Sequence, residues 1–248
     1  MKASEYSGLY ENEETLWWFV GMRRLVDLLL ADLPTAHAPL RALDAGCGAG
    51  YNALDLARRY NWEVFPCDYS RLALGFSAKR RLPRLAAADI ERLPYADASF
   101  DCVTCFDVLY MFVESRLDVA LREFHRVLRP GGLLITRMSA LEILRGHHSE
   151  LNGEARRYTL PELSERLTRA GFKIERATYA NTLLLPLALL KRRVLEPLGI
   201  GRESSDVAPA PSWINRAFLC AMDVERSMIA AGWKMPFGTS TVIVSRKI

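Results

Sequence analysis

The feature that most constrains this chain is a glycine turn that joins an apolar strand to a helix. The strand at 40–44 ends on Asp44, and glycines follow at three alternate positions, Gly46, Gly48 and Gly50. Glycines placed in this way let backbone N–H groups and a helix N-terminus approach a ligand that side chains would block. The turn therefore predicts an α/β fold with a ligand site where this strand ends.

Strands and helices alternate along most of the chain. Asn12 is the predicted cap of the first helix, and Thr159 with Glu162 predicts a capping box on a later one. Strands that alternate with helices imply right-handed crossovers and a mostly parallel sheet. The predicted strands lie at 40–44, 63–67, 85–88, 101–106, 133–138, 173–179 and 239–244, and the main helices at 13–31, 49–60, 71–80, 115–128, 159–171 and 212–231.

Four parts are predicted along the chain. They are an N-terminal helical arm at 1–39, an α/β core at 40–180, a helical cover or lid at 181–238 and a last core strand at 239–248. Because roughly sixty residues are too many for an ordinary loop, we expect the cover, together with the N-terminal arm, to select the substrate. Its predicted apolar pocket contains Leu183, Leu187, Leu190, Met222 and Met228.

One predicted helical face of the cover is apolar. It carries Leu183, Leu187, Leu190, Val194 and Leu198, and the cations of 191–193 lie beside it. The pattern favours a core or lid contact, and contact with a membrane surface is the alternative.

Composition excludes several classes of protein. Half of the 248 residues are apolar and a quarter are charged, unlike a disordered chain or a disulfide-framed miniprotein. The longest apolar run, 183–190, is shorter than the roughly 20 residues of a bilayer span, so no transmembrane segment is predicted. Five cysteines without framework spacing predict a cytoplasmic protein. A formal charge of +4, spread along the chain, gives no argument for nucleic-acid binding.

The spacing of the glycines disfavours dinucleotide binding and a P-loop. A dinucleotide turn has the pattern G-x-G-x-x-G, whereas the third glycine here is Gly50, and no Gly-Lys-Ser/Thr follows for a P-loop. Asp44 would also place a negative charge beside a pyrophosphate. Two further acids follow the next two strands: Asp68 is placed for ribose hydroxyls, and Asp89 for an adenine amino group. Three acids after three successive strands predict one crevice.

These motifs resemble, in order and spacing, those of the class I S-adenosylmethionine-dependent methyltransferases. The segments concerned are 43–50, Asp68, 88–90, 99–101 and 126–132. The resemblance implies an α/β, Rossmann-like, seven-stranded, mostly parallel sheet with a reversed last strand and helices on both faces. It also implies S-adenosyl-L-methionine as cofactor and S-adenosyl-L-homocysteine as product. The implied cofactor contacts in this core are Asp44, Gly46, Cys47, Gly48, Gly50, Asp68, Tyr69, Asp89, Ile90 and Phe106.

The flanking segments resemble a bacterial, methyltransferase type 11-like subgroup. They are 10–13, 17–24, 156–159 and 236–240, and they add Trp18 and Arg23 to the predicted cofactor contacts. The chain departs from that subgroup at Tyr110-Met111, where relatives often carry Glu-His, and at His147-His148-Ser149.

His148 is the predicted general base. It follows the fifth predicted strand, and histidine has an unperturbed pKa near neutrality. Tyr110 and Tyr158 are the reserve candidates. The alternative is a surface histidine pair, with proximity and the sulfonium leaving group supplying the rate.

The predicted function is methyl transfer to a small, hydrophobic or lipid-like acceptor. The alternatives are a non-catalytic, S-adenosylmethionine-binding regulatory protein and a methyltransferase of macromolecules. No metal is predicted, because Cys102 and Cys105 would lie on opposite faces of one strand.

Overall fold

The structure, a computed structural model, describes residues 3–33, 39–146, 149, 153–199 and 208–248. The helices are α1 (Ala3–Asn12), α2 (Trp17–Leu30), α3 (Tyr51–Tyr60), α4 (Arg71–Lys79), α5 (Glu114–Val127), α6 (Leu160–Arg169), α7 (Leu185–Leu190) and α8 (Ser212–Ala230). The strands are β1 (Arg41–Ala45), β2 (Glu63–Asp68), β3 (Ala86–Ala87), β4 (Phe100–Phe106), β5 (Leu128–Ser139), β6 (Phe172–Ala180) and β7 (Ser240–Lys247).

The seven strands form one sheet in the order β3-β2-β1-β4-β5-β7-β6. Strand β7 runs antiparallel to both of its neighbours, and all other pairs are parallel. The predicted seven-stranded, mostly parallel sheet with a reversed last strand is therefore confirmed. The strand order reverses between β1 and β4, and ligands of open α/β sheets bind in the crevice at such a point.

Apolar cores fill both faces of the sheet. Helices α5 and α6 supply one core, whereas α2, α3 and α8 supply the other. Cys102 belongs to the second core and Cys105 to the first, so the prediction that they lie on opposite faces of β4 is confirmed. The predicted capping box at the start of α6 is also present, between Thr159 and Glu162.

The N-terminal arm is broken into two helices where the sequence predicts one. Asn12 is the last residue of α1 rather than a cap, and a turn separates it from α2. Arg23 stabilises this turn, because its guanidinium donates to the carbonyl oxygens of Glu13 at 2.7 Å and Glu14 at 2.8 Å. The helix predicted at 13–31 therefore begins only at Trp17, because residues 13–16 form this turn, and α1 was not predicted.

The cover begins at a buried carboxylate. Glu225 on α8 accepts hydrogen bonds from the backbone N–H groups of Asn181 at 2.6 Å, Thr182 at 2.6 Å and Leu183 at 3.0 Å. These bonds fix the start of α7 against α8, and α8 itself packs on α2. A π-helical turn at Lys191–Leu195 follows α7.

Most of the predicted apolar face of the cover is exposed. Its residues are 42 to 69 % exposed, so the expected core contact is wrong for Leu183, Leu190, Val194 and Leu198. Met222 is buried instead in the core between α2 and α8. In the described ranges, the helices are all too short or too polar to cross a bilayer.

Candidate active site

A large cavity of about 1260 Å³ lies at the carboxyl edge of the sheet. Its cofactor side, as we call it, is lined by the glycine turn and by the ends of β2 and β3, at 46–49, 68–71 and 88–90. Its acceptor side is lined by residues at and after the end of β4, by the end of β5 and by α7, including 106–108, 110–112, Arg137 and Leu187. The two sides are parts of one continuous cavity.

The glycine turn places an open backbone against the cavity. The φ angles are +82° at Gly46, +56° at Gly48 and +91° at Gly50, all in the left-handed region that favours glycine. A Cβ atom added at Gly48 would meet no atom within 4 Å, so this position is open. At Gly50 a Cβ would lie 2.7 Å from both Leu82 and Ser77, and Gly50 does not line the cavity. Close packing against Leu82 and Ser77, rather than contact with a ligand, thus explains why this position needs glycine.

Most backbone N–H groups of the turn are bonded within the protein, contrary to the expectation that they approach a ligand. Those of Gly46 and Cys47 donate to the carbonyl oxygen of Cys67 at 2.8 and 2.9 Å. That of Gly48 donates to Asp68 at 2.9 Å, and that of Tyr51, the first residue of α3, donates to Glu13 at 3.2 Å. Because a carboxylate already caps α3, the usual phosphate position of a dinucleotide is filled.

Asp44 lies beneath the turn and does not line the cavity. Thr104 donates to its Oδ1 at 2.8 Å, whereas its buried Oδ2 has no hydrogen-bond partner among the residues that the structure describes. Burial raises the pKa of Asp44 to about 6, although Thr104 and Arg137 act to lower it. Asp44 thus contributes negative charge below the turn rather than a surface contact.

Asp68 and Tyr69 lie at the end of β2 and line the cavity. Each carboxylate oxygen of Asp68 accepts one backbone N–H, from Ser70 at 2.8 Å and from Gly48 at 2.9 Å. Because a carboxylate oxygen accepts more than one hydrogen bond, both retain capacity for a ligand hydroxyl. Burial raises the pKa of Asp68. The Tyr69 side chain is 80 % exposed, which leaves its ring free to contact a ligand.

The other predicted cofactor contacts line the cavity as well, except for one. Asp89, Ile90, Phe106, Cys47 and Trp18 all contribute to its wall. Asp89 also accepts a hydrogen bond from the backbone N–H of Glu91 at 3.0 Å. Arg23 is not brought to the cavity, because its guanidinium is held by the turn between α1 and α2.

The N-terminal arm covers the cofactor side through residues that the sequence analysis did not assign to it. Tyr6 and Glu13 line the cavity. Glu13 forms a buried ion pair with Arg80 at 2.9 Å, and Arg80 also donates to the carbonyl oxygens of Tyr10 and Ala49. Burial raises the pKa of Glu13 to about 7. The only sequence signal was the resemblance of 10–13 to the subgroup.

The three predicted catalytic residues have different positions. Tyr110 lines the acceptor side, and burial together with Asp107 raises the pKa of its hydroxyl, which favours the protonated phenol. Tyr158 is fully buried and donates to the carbonyl oxygen of Phe112 at 3.0 Å, away from the cavity. His148, with His147, lies outside the described residues.

Two ion pairs line the acceptor side, and sequence analysis predicted neither. Arg137, near the end of β5, binds Asp107, and Arg157 binds Glu154 at 2.8 Å. The sequence signal that could have indicated the first pair is Arg137, an arginine within an apolar strand. Within the described ranges, no cluster of His, Cys, Asp or Glu side chains has a geometry that could hold a metal ion.

Comparisons with known proteins agree with this geometry. Residues 43–136 match a family described as a methyltransferase domain. A malonyl-[acyl-carrier protein] O-methyltransferase of Halorhodospira halophila is 35 % identical over 162 residues, which cover 60 % of this chain and 54 % of the relative. The enzyme of the same name from Serratia marcescens is 30 % identical over 201 residues, covering 79 % of this chain and 75 % of the relative. The chain thus spans about half the length of the first relative and three quarters of the second.

A solved structure shows the same fold at lower identity. Geranyl diphosphate C-methyltransferase from Streptomyces coelicolor has a TM-score of 0.59 at 17 % identity, covering 92 % of this chain and 81 % of that one. The sheet order, the glycine turn, the acids after β1 to β3 and the identity to the Serratia relative lead to one assignment. The chain belongs to the class I S-adenosylmethionine-dependent methyltransferases.

Proposed function

We propose that the chain transfers the methyl group of S-adenosylmethionine to a small, apolar acceptor. The observation that carries this proposal is one cavity with two differently lined sides. Carboxylates and an open glycine backbone line its cofactor side, whereas its acceptor side combines apolar and aromatic side chains with two ion pairs. Its volume of about 1260 Å³ exceeds the usual upper range for a single ligand, about 1,000 Å³, which leaves room for two molecules.

The residues of the cofactor side fit an adenosyl ligand. Asp68 retains acceptor capacity for ribose hydroxyls, and Asp89 with Ile90 and Tyr69 would hold the adenine. Gly48 leaves open the volume that a side chain would fill. S-adenosylmethionine carries no phosphate, which agrees with a turn whose N–H groups are already bonded. When bound, it supplies a methyl group on a positively charged sulfonium.

The acceptor side favours an apolar molecule. Helix α7 contributes Leu187 and Ala188 to this side, Leu184 precedes the helix, and the cations Lys191 and Arg192 of the following π-helical turn lie at its edge. Leu144, Phe112 and Phe218 complete this part of the wall. Of the predicted pocket residues in the cover, Leu187 alone lines the cavity in the described ranges.

The contribution of this chain to the reaction is orientation and exclusion of water. Trp17, Trp18 and Phe19 form a continuous aromatic part of the wall, with Trp17 packed edge-on against Phe218 at 5.1 Å. Holding a nucleophile and a reactive methyl group together supplies much of the rate of such a transfer. His148 stays a prediction for proton removal.

The test combines binding and transfer. Calorimetry with S-adenosylhomocysteine measures the cofactor side, and tritium-labelled S-adenosylmethionine measures transfer to octan-1-ol, octylamine, 2-naphthol and a solvent extract of bacterial lipids. We expect one cofactor site per chain and label in a solvent-extractable product, with Gly48→Val as the inactive control. Binding without transfer would instead support the non-catalytic alternative, and absence of binding would refute both.

A further inference from the structure

Asp107 is the first residue after β4, at the reversal point of the sheet. Its φ angle is +59°, in a region that few non-glycine residues adopt, and aspartate is one of the more tolerant. Its backbone N–H donates to the carbonyl oxygen of Arg137 at 2.7 Å. Backbone outliers of this kind cluster at functional sites. Asp107, which forms an ion pair with Arg137, therefore has a backbone conformation typical of functional sites.

One oxygen of Asp107 is used and the other is not. Nε of Arg137 donates to Oδ2 at 2.8 Å, and Nη2 of Arg137 donates to the same oxygen. Among the described residues, Oδ1 has no hydrogen-bond partner. The side chain is 21 % exposed and lines the acceptor side. Asp107 thus keeps a free carboxylate oxygen at the cavity wall.

Arg137 does not offer a matching cationic site. Its side chain is 1 % exposed, and its remaining nitrogen, Nη1, is buried and has no hydrogen-bond partner within the described part of the chain. The guanidinium carbon lies 4.9 Å from the ring centre of Trp18 and 4.8 Å from that of Phe106. A ligand in the cavity therefore meets the carboxylate of this pair before the guanidinium.

In the neighbouring ion pair, between Arg157 and Glu154, both carboxylate oxygens are bonded. Oε2 of Glu154 accepts from Arg157 at 2.8 Å and Oε1 at 3.3 Å, and Arg157 also binds Ser149 at 2.9 Å. The side chains of this pair are 2 and 7 % exposed. Of the two buried pairs on the acceptor side, only Asp107 retains an unbonded oxygen within the described part of the chain.

We propose that Asp107 is a catalytic residue that accepts a hydrogen bond, and then the proton, of an acceptor O–H or N–H group. Arg137 is its positioning residue. The inference rests on the proposed function and names its substrate class. As the oxygen or nitrogen bonds to the methyl carbon, the carbon–sulfur bond breaks and its electron pair goes to sulfur. The O–H or N–H proton passes to Oδ1 of Asp107 and then to water.

The surroundings of Asp107 agree with proton acceptance. The charged or titratable groups that face it are Arg137 on β5, Glu154 in the following loop, and Tyr110. Burial raises the pKa of Asp107, Glu154 adds to the rise, and Arg137 lowers it. An acceptor that presented a carboxylate to Asp107 would be repelled, so hydroxyl and amine acceptors are favoured over acids.

The experiment compares three probes with the same tail: octan-1-ol, octylamine and octanoate. Each is titrated by calorimetry into the protein saturated with S-adenosylhomocysteine. We expect the alcohol and the amine to bind about tenfold to a hundredfold more tightly than the acid, as a charged hydrogen bond allows. Asp107→Asn should remove most of this preference, and the exposed control Asp97→Asn should retain it. Arg137→Met should weaken the preference, and Arg137→Lys should restore part of it.

The affinity for S-adenosylhomocysteine keeps the outcomes distinguishable. If the unmodified protein does not bind S-adenosylhomocysteine, the proposed function fails. If it does, and octanoate binds best or Asp107→Asn keeps the preference, the inference about Asp107 alone is overturned. Should Asp107→Asn lose S-adenosylhomocysteine binding through misfolding, Asp107→Glu takes its place, and it must retain the preference for alcohol and amine.

Discussion

The native protein is expected to lose stability as pH rises, partly because of Glu13. The substitution Glu13→Gln is expected to remove the part of this loss that Glu13 causes. Glu13 is 4 % exposed, accepts a hydrogen bond from the first backbone N–H of α3 and pairs with Arg80. Burial raises its pKa from 4.5 to about 7, against the lowering effects of Arg80 and Tyr51. Glutamine keeps an oxygen for these donors, and Arg80 keeps the carbonyl oxygens of Tyr10 and Ala49.

The magnitude follows from proton linkage. An acid with a raised pKa in the folded state binds its proton more tightly there, so the free energy of unfolding is highest below pH 4.5. It falls as pH rises toward about 7 and is constant above that value. The full effect is about 3 kcal/mol, at about 1.4 kcal/mol for each pKa unit. Asp44 acts in the same direction up to about pH 6, so only the difference between variant and native protein isolates Glu13.

Urea unfolding followed by tryptophan fluorescence measures this difference. Between about pH 5 and about pH 8, the native protein should lose about 2 to 3 kcal/mol more than Glu13→Gln. Glu165→Gln is the control, because Glu165 is 62 % exposed on α6. The reasoning would be refuted if, over this pH range, the native protein lost the same free energy of unfolding as Glu13→Gln, or less.

Three further substitutions test the site. Gly48→Val puts a β-branched residue at a φ of +56° and fills the open side of the turn, so calorimetry should detect no S-adenosylhomocysteine binding while the circular dichroism spectrum is retained. Asp68→Ala should weaken that binding by about 1–3 kcal/mol, and an unchanged affinity would contradict the ribose assignment. Tyr158→Phe should lower the free energy of unfolding by about 1–3 kcal/mol, because the carbonyl of Phe112 loses its donor. Its S-adenosylhomocysteine affinity should not change; a loss of transfer at full stability would return Tyr158 to the catalytic candidates.

The parts of the fold that the sequence predicted are those with local signals. The glycine turn, the strand ends at Asp68 and Asp89 and the capping box at Thr159 are each set within a few residues. The order of these local elements predicted a mostly parallel sheet, and the resemblance to the class I methyltransferases implied its seven strands and the reversed last strand. The same signals predicted residues of the cofactor side, where Gly48 and Asp68 line the cavity.

The parts that sequence reasoning missed depend on partners distant in the chain. Glu13 meets Arg80 from 67 positions away, and Arg137 meets Asp107 from 30. The hydrophobic periodicity of a sequence does not predict ion pairs between residues so far apart in the chain. The outward face at Leu190 was misassigned for a related reason, because an apolar helical stripe does not state which element covers it. Here Leu183, Leu190, Val194 and Leu198 of that stripe are 42 to 69 % exposed.

A crystal structure of the chain with S-adenosylhomocysteine tests the central claim most directly. The claim predicts the ligand on the cofactor side of the cavity. Its ribose hydroxyl oxygens should lie at about 2.5–3.0 Å from the carboxylate of Asp68, and its adenine beside Tyr69 and Asp89. Ligand density outside this cavity, or a ribose that makes no contact with Asp68, would contradict the account.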